Sequence, residues 1–498
     1  MMKHRRILKV LCLGLACAMT MSTLVGCGGG GSEGEENEIF IKYYNGAYGE
    51  EWIWTAANDF VEEKAKQGIK VSFDIRRDTN MDTNVQNEVG TGLNLADMYM
   101  VRDCNWTDFV REGRLEDLTS VYETVVNTSQ GPMKIKDYMS DGYNIQYYAQ
   151  RQAGVGNYVP WAMPWSASQI GLVYNENILK SMGRDNPPET ITELLQYCDD
   201  LVEAGITPFI FPGQEDHWFK YLIQVWWAQY QGVTEENLDN VAEGDGAFYD
   251  FYKLESIDVL KQKGIQKGID TMQSLFVAEN GGWKNSDEYV NSYKVADAEK
   301  EFVDNEKAAM LVGASFMYNE VRQFIRPGAV YKMMSLPTID GALKNADGKT
   351  TAKINYYTSE DRILIPKGAM YADLAKEFLA FMCNEKYLLD FISKTGTVRP
   401  FKYDPEVLDA EALGLNEFNA SVLDVYKQSD IKLVSLPANL KTPQERPLVS
   451  LYKNMPMNGA ISWGIFIDKI KKNQSSASIM NSIYNDTVPE YNKWMTQY

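Results

Sequence analysis

Few residue types in this chain of 498 residues could do covalent chemistry. It has two histidines, His4 and His217, and His4 lies in the N-terminal segment discussed below. A Ser-His-Asp or Cys-His centre, or a histidine-rich metal site, would therefore have to be built around His217 alone. Lys394-Thr-Gly396 and Ser450-Leu-Tyr-Lys453 spell the K-T-G and S-x-x-K of penicillin-binding enzymes. That machinery needs S-x-x-K first and K-T-G last, and here the order is reversed. Gly348-Lys-Thr350 lacks the earlier glycine of a phosphate-binding loop. Acids are plentiful, so two-carboxylate glycoside hydrolysis stays open on composition. The larger supply is aromatic, with 11 Trp, 30 Tyr and 19 Phe. Core packing accounts for most of them, yet so many Trp and Tyr also suit a cleft that stacks on flat ligand faces. Asp103 and Trp106 place a carboxylate and a ring within four residues, a pairing that serves hydroxyl groups and apolar sugar faces together.

Such residues need elements to position them. Glu38 to Tyr44 is a β-rich run closed by Asn45-Gly46. Ile53, Ala56, Ala57, Phe60 and Val61 then fall at helical spacing within about 50–67. Ile69 to Ile75 alternates as a strand, 81–89 reads as a polar helix, and Leu95 to Val101 as a third strand. A second series begins near Pro160, with a strand at Gly171 to Tyr174 and a helix opened by Pro187-Pro188-Glu-Thr-Ile-Thr. Thr207 to Phe211 is a strand, and 217–230 and 257–272 are helices. Further on, 298–311 reads as a helix leading into a strand, Met333 to Leu336 as a strand and 340–351 as a polar turn. Ile354 to Ile365 reads as one strand, 369–383 as a helix, and 465–471 and 478–495 as terminal helices. Strands alternating with helices predict parallel α/β sheets, and the length predicts two domains.

The N-terminus has its own signature. Residues 1–26 carry Lys3, Arg5, Arg6 and Lys9 and no acid, followed by an apolar run from Val10 to about Met19. This is the layout of a secretory signal, too short for a spanning helix. Leu24-Val-Gly-Cys27 resembles the bacterial lipoprotein box, which implies cleavage before Cys27 and diacylation of its thiol. Gly28–Gly31, Ser32 and the acids up to Glu38 read as a solvated tether. Removing residues 1–26 takes four bases and no acid from a net charge of −19, leaving −23. Such a body argues against nucleic acid and against lying flat on anionic lipid. Cys104, Cys198 and Cys383 remain beside Cys27, odd in number and far apart, and read as buried free thiols.

Several stretches resemble the extracellular solute-binding proteins of ABC importers, the group that contains the maltose binders. They are Ala96-Asp-Met-Tyr-Met100, Arg111-Glu-Gly-Arg-Leu-Glu-Asp-Leu-Thr119 and Gly171-Leu-Val-Tyr-Asn-Glu-Asn-Ile-Leu179. Pro188-Glu-Thr-Ile-Thr-Glu-Leu194 with Thr207-Pro-Phe209, Phe302-Val-Asp-Asn-Glu-Lys-Ala-Ala-Met310 with Gly313, and Ala375-Lys-Glu-Phe-Leu379 follow in the same order. Asn305-Glu306 stands where glycine is common. The match spans roughly 38–470. It implies a type II periplasmic-binding-protein fold: two α/β lobes, a hinge, and a ligand cleft between them. The expected divisions are 1–26 signal, 27–37 tether, 38–160 and 355–400 N-lobe, and 161–354 and 401–498 C-lobe. The resemblance implies a monomeric binder without a cofactor, held at the outer face of the membrane by a lipid. It would pass a small solute, a sugar or oligosaccharide, to membrane permease subunits. An extracellular carbohydrate-active enzyme is the alternative.

Ligands of parallel α/β sheets bind beyond the carboxyl ends of strands. That places Asn45 and Tyr48 after the first strand, and Asp103 and Trp106 after the third, among the expected contacts. By the resemblance, Trp165 and Ser168 precede a cleft-lining strand, and Trp218 stands where the family has a stacking aromatic. Ser315 and Phe316 follow Gly313, where maltose binders carry Gly-Pro-Trp, and the missing tryptophan points away from a maltose-like ligand. Trp463 lies near an aromatic of the family's late helix. Trp283, in Gly281-Gly-Trp-Lys, reads as a loop residue facing either ligand or solvent.

Overall fold

The computed structural model describes residues 37–495 except 45, 103, 141–142, 152–155, 216–217, 234–247, 249–256, 288–289, 307, 343–351, 359–360 and 435–462. The signal, Cys27 and the tether thus lie outside the described residues, as do Asn45, Asp103 and His217.

Strand Asn37–Tyr43 buries Ile39, Ile41 and Tyr43 on one face, the period-2 pattern of a half-covered strand. Helix Glu51–Lys66 lays Trp52, Ile53, Ala56, Ala57 and Phe60 into the same core. The strand is flanked by Val71–Arg77 and Met98–Val101, both parallel to it. Arg362–Leu364 and Met163–Pro164 complete this five-stranded sheet as antiparallel additions.

The second sheet has six strands. Thr207–Ile210, Ala308–Ala314, Gln169–Asn175, Ile354–Tyr357 and Ile431–Val434 follow in that spatial order, and Tyr331–Met334 also pairs with Gln169–Asn175. Gln169–Asn175 and Ala308–Ala314 are buried at every position, as central strands covered on both faces must be. Helix Ile191–Glu203 begins at a capping box, in which Thr190 Oγ1 accepts from the Glu193 amide (3.2 Å) and Glu193 accepts from the Thr190 amide (3.1 Å). Helices Trp218–Gln231 and Lys263–Phe276 pack closely, because Gly264 and Gly268 present bare backbone to the partner helix. A Cβ on Gly268 would stand 2.7 Å from the Ile223 carbonyl oxygen.

The expected single strand at 354–365 is two strands in two sheets. Ile354–Tyr357 pairs in the second sheet, and Arg362–Leu364 in the first. The apolar pattern breaks at Thr358-Ser-Glu-Asp361, and the strands on either side of that break lie in different sheets. Residues 165–168 make the opposite passage, between Met163–Pro164 and Gln169–Asn175. The helix expected at 257–272 is a short 3-10 segment, Ile257–Lys261, followed by Lys263–Phe276. Cys104, Cys198 and Cys383 are free and buried. Burial pushes the Cys198 thiol up to about 12 and that of Cys383 up to about 11, so both stay protonated and inert at neutral pH. None of the described helices is long and apolar enough to cross a membrane.

Candidate functional site

Between the two sheets lies a cleft with about 860 Å³ of atom-free space, part of it open to solvent. The first sheet contributes the loop after Asn37–Tyr43, with Tyr44, Gly46 and Tyr48, and Arg102 after Met98–Val101. Both loops leave the carboxyl ends of parallel strands, as the sheet geometry requires of a ligand site. The two chain passages contribute Ser168, Thr358 and Asp361. The second half contributes Ile170, Glu215, Trp218, Tyr221, Val295, Phe316 and Glu320.

Tyr48 ties these parts together. Its hydroxyl is hydrogen-bonded to Ser168 and lies 3.4 Å from Ser166 Oγ. Its ring meets Trp165 edge-on at 5.2 Å and faces Phe316 across the cleft at 6.4 Å. Burial, and then the Asp361 carboxylate, push the Tyr48 phenol well above its ordinary range, so it is a neutral hydrogen-bonding group. Ser166, itself buried, donates to the Asp361 carboxylate. The Ser168 amide donates to Thr358 Oγ1 (3.2 Å), and the Thr358 amide donates back to the Ser168 carbonyl (2.8 Å). The two passages are therefore stitched together at the cleft floor. A third segment joins them there, since the Ala167 amide donates to the Val398 carbonyl (3.0 Å).

The opposite wall is helical. Trp218 opens helix Trp218–Gln231, and its ring lies edge-on to Tyr221 at 6.0 Å. Tyr221 rests on Tyr356 at 4.6 Å. Glu215 is held beside the start of helix Val295–Asp304, where it accepts from the Val295 amide (3.0 Å). Phe316 and Glu320 stand four residues apart, across the first turn of Met317–Val321. Rings and oxygen acceptors thus face the same space from both sides, the lining that holds a polar ligand with apolar faces.

Of the residues expected from sequence, Tyr48, Ser168, Trp218 and Phe316 line this cleft. Trp165 and Ser315 are buried behind it. Trp165 stacks on Trp52 at 5.8 Å, and Ser315 Oγ accepts from the Gln169 amide (3.2 Å). Trp106 is a core residue packed edge-on to Tyr147 at 5.3 Å, away from the lining. Trp283 stacks on Phe219 at 5.2 Å and donates through Nε1 to Asn291 (2.9 Å), in the second lobe's own core. Trp463 begins helix Trp463–Lys471, and its side chain is outside the described positions. The sequence reading missed Tyr44, Arg102, Glu215, Tyr221, Glu320, Thr358 and Asp361. For Arg102 and Tyr44 the signal was at hand, since each adjoins an expected strand-end contact. For Asp361 the signal was the polar break Thr358-Ser-Glu-Asp361 between two apolar segments, which a single-strand reading passes over.

Among the described residues, no group of three or more His, Cys, Asp or Glu side chains is arranged to hold a metal ion. The fold has relatives among solved structures. The raffinose complex of the solute-binding protein RafE matches with a TM-score of 0.57 at 15% identity, over 90% of this chain and 99% of that one. A probable secreted solute-binding lipoprotein from Streptomyces coelicolor matches at 0.58 and 14%, over 91% and 99%. A Bacillus licheniformis sugar transporter bound to stachyose matches at 0.52 and 12%, over 90% and 98%. No curated protein matches in sequence. At these identities the likeness is one of fold: two α/β lobes about a cleft, as the sequence predicted. The family model for bacterial extracellular solute-binding proteins aligns with residues 46–388, which take in every strand of the two sheets except Asn37–Tyr43 and Ile431–Val434. On that alignment, over more than half of its length, the chain belongs to the bacterial extracellular solute-binding proteins.

Proposed function

We propose that this chain captures a small saccharide between its lobes and hands it to an ABC permease. We also propose that it is tethered to the outer face of the membrane through an acylated Cys27. One observation carries the ligand class: rings (Tyr44, Tyr48, Trp218, Tyr221, Phe316) and oxygen acceptors converge on one cleft from both sheets. Trp and Tyr faces suit the apolar faces of a pyranose, and carboxylates and hydroxyls suit its hydroxyl groups. Solved structures of the same fold carry raffinose and stachyose, which supports the same class. The N-lobe would comprise the first sheet with 38–164 and about 362–400, and the C-lobe the remainder, with 165–168, Thr358 and Asp361 at the hinge. A ligand closes such lobes only through contacts it makes when both engage it.

The test is a thermal-shift screen of the mature protein against raffinose, stachyose, malto-, cello- and chito-oligosaccharides, followed by calorimetry. A true ligand at a hundred times its Kd stabilises the folded state by about 2.7 kcal/mol. We expect at least one saccharide to raise Tm in a concentration-dependent way. If no saccharide shifts it, the proposed ligand class is wrong. If the protein instead releases hydrolysis products, it is an enzyme.

A further inference from the structure

Among the described residues, Leu93 (66% exposed) and Met370 (82%) are the most exposed of the large apolar side chains, ahead of Val125 and Val202 (57% each). Leu93 lies in the chain that leads into Met98–Val101, and Met370 in the loop that follows Arg362–Leu364. The two segments adjoin. The Tyr371 amide donates to Asp97 Oδ1 (2.8 Å), and a Cβ on Gly368 would stand 4.0 Å from Leu95 Cδ1. Arg114 borders both, since its carbonyl accepts from the Lys367 amide (2.7 Å) and its guanidinium lies 3.3 Å from where a Cβ on Gly92 would stand.

Strand direction says which end of the sheet this is. Met98–Val101 runs parallel to Asn37–Tyr43, with Met98 beside Ile41, and the Asp97 amide donates to the Phe40 carbonyl (2.8 Å). Leu93 and Met370 therefore sit at the amino ends of the parallel strands, whereas the cleft loops leave the carboxyl ends. The length of strand Asn37–Tyr43, about 20 Å at ~3.3 Å per residue, lies between. Asn37 stands ten residues after Cys27. A glycine-rich linker of that length has a root-mean-square span of about 17 Å and cannot exceed about 35 Å. An anchor on Cys27 thus holds this end of the molecule, and not the cleft, beside the bilayer. The charges of this end balance. Exposed Lys70 and Lys367 stand against Glu38 and Asp373, and Arg114 is 3.9 Å from Glu112. The end is close to neutral in a mature chain of net charge −23, so anionic lipid does not repel it as it repels the body. Glu33, Glu35 and Glu36 of the tether act the other way, so apolar contact must carry any docking.

We propose that the end bearing Leu93 and Met370 rests on the outer surface of the lipid bilayer, and that the anchored protein waits there with its cleft turned to the medium. This rests on the acylated Cys27 proposed above and is independent of the cargo. Two side chains bury too little apolar area to hold a free protein on a membrane, so the docking depends on the tether that keeps them within reach. It is reversible for the same reason, which leaves the cleft free to turn toward a permease.

Fluorescence quenching tests this on the acylated mature protein, reconstituted in vesicles of phosphatidylcholine and phosphatidylglycerol that hold no other protein. An environment-sensitive dye is attached at L93C and, in a second protein, at V202C on helix Ile191–Glu203 of the other lobe. Lipids with a spin label high on the acyl chain are the quencher. We expect quenching at L93C to exceed that at V202C about threefold, and raised salt to leave it unchanged. M370E should at least halve it while leaving Tm unchanged, since Met370 is exposed. The proposal is overturned, and the anchor stands, if the protein is held in the vesicles and both positions quench alike, neither quenches, or M370E changes nothing. If the protein with Cys27 intact is recovered from the medium and not from membranes, the anchor and this docking both fall. If unanchored Cys27→Ser protein dimerises and M370E makes it monomeric, a second copy covers this face and the docking on lipid falls.

Discussion

At the scale of single residues, the cleft shows how burial assigns roles that residue type leaves open. Trp106 and Trp165 have the composition of stacking residues, but their rings are spent on Tyr147 and Trp52. Trp218 has the same composition and faces the cleft because it opens its helix beside the mouth. Glu299 is the sharpest case. Burial, followed by the charges of Glu320 and then Glu215, raises its pKa well above the ordinary carboxylate value. The native state therefore holds a proton that the unfolded chain releases near pH 4.5, and stability must fall as pH rises above that value. The acids that act on it are Glu320, on helix Met317–Val321, and Glu215, in the loop before helix Trp218–Gln231. Replacing Glu299 by Gln removes the penalty. The variant should gain stability relative to the parent at pH 8 and show little difference at pH 4. Denaturant melts at the two pH values check this, and an equal effect at both would refute it. None of this was visible in sequence, where Glu299 is one acid among 68 and nothing marks it as buried.

At the scale of elements, most of the architecture was legible, with exceptions. Helix Glu51–Lys66 and strand Asn37–Tyr43 came directly from periodicity, and Ile191–Glu203 came from its Pro and Thr start signals. The single strand expected from Ile354 to Ile365 fails because it runs through Thr358-Ser-Glu-Asp-Arg362, a polar stretch that ends one apolar segment before the next begins. The pairing of Trp218–Gln231 with Lys263–Phe276 had no sequence signal beyond two glycines. That pair positions Trp218 and Tyr221, so its spacing matters to the site. Gly268→Ala would drive a methyl group into the Ile223 carbonyl, which is backbone and has no rotamer to yield. We expect a loss of about 1–3 kcal/mol, read as a lower denaturation midpoint with an unchanged m-value. An unchanged midpoint would mean that the helices are not held at this distance.

At the scale of the whole molecule, the resemblance reached further than the pattern, because an ordered series of short motifs reports topology that no single segment contains. It led to Ser168, Trp218 and Phe316, which line the same cleft as the Tyr48 that the strand-end rule had pointed to, though it offered no way to see the charged residues between them. The tether proposal also belongs at this scale. A binder held near its permease works at raised effective concentration, and two acyl chains suffice for stable anchoring where one does not. Cys27→Ser should move the protein from the membrane fraction to the medium while leaving its melting temperature unchanged. Fractionation of cells expressing either form decides it, and retention of the variant in membranes would sink the anchor.

The stitched floor of the cleft has a consequence for how cargo preference can change over time. Ser168, Thr358 and Asp361 belong to the passages that join the two sheets and also face the ligand space. A substitution there alters two traits together: what is held and how readily the halves come together. Glu320 and Trp218 lie on helices and not on those passages, so substitutions there bear chiefly on what is held. Selection for a new nutrient would thus meet fewer trade-offs on the helical wall. Directed evolution of altered uptake would do best to randomise that wall and leave the floor alone.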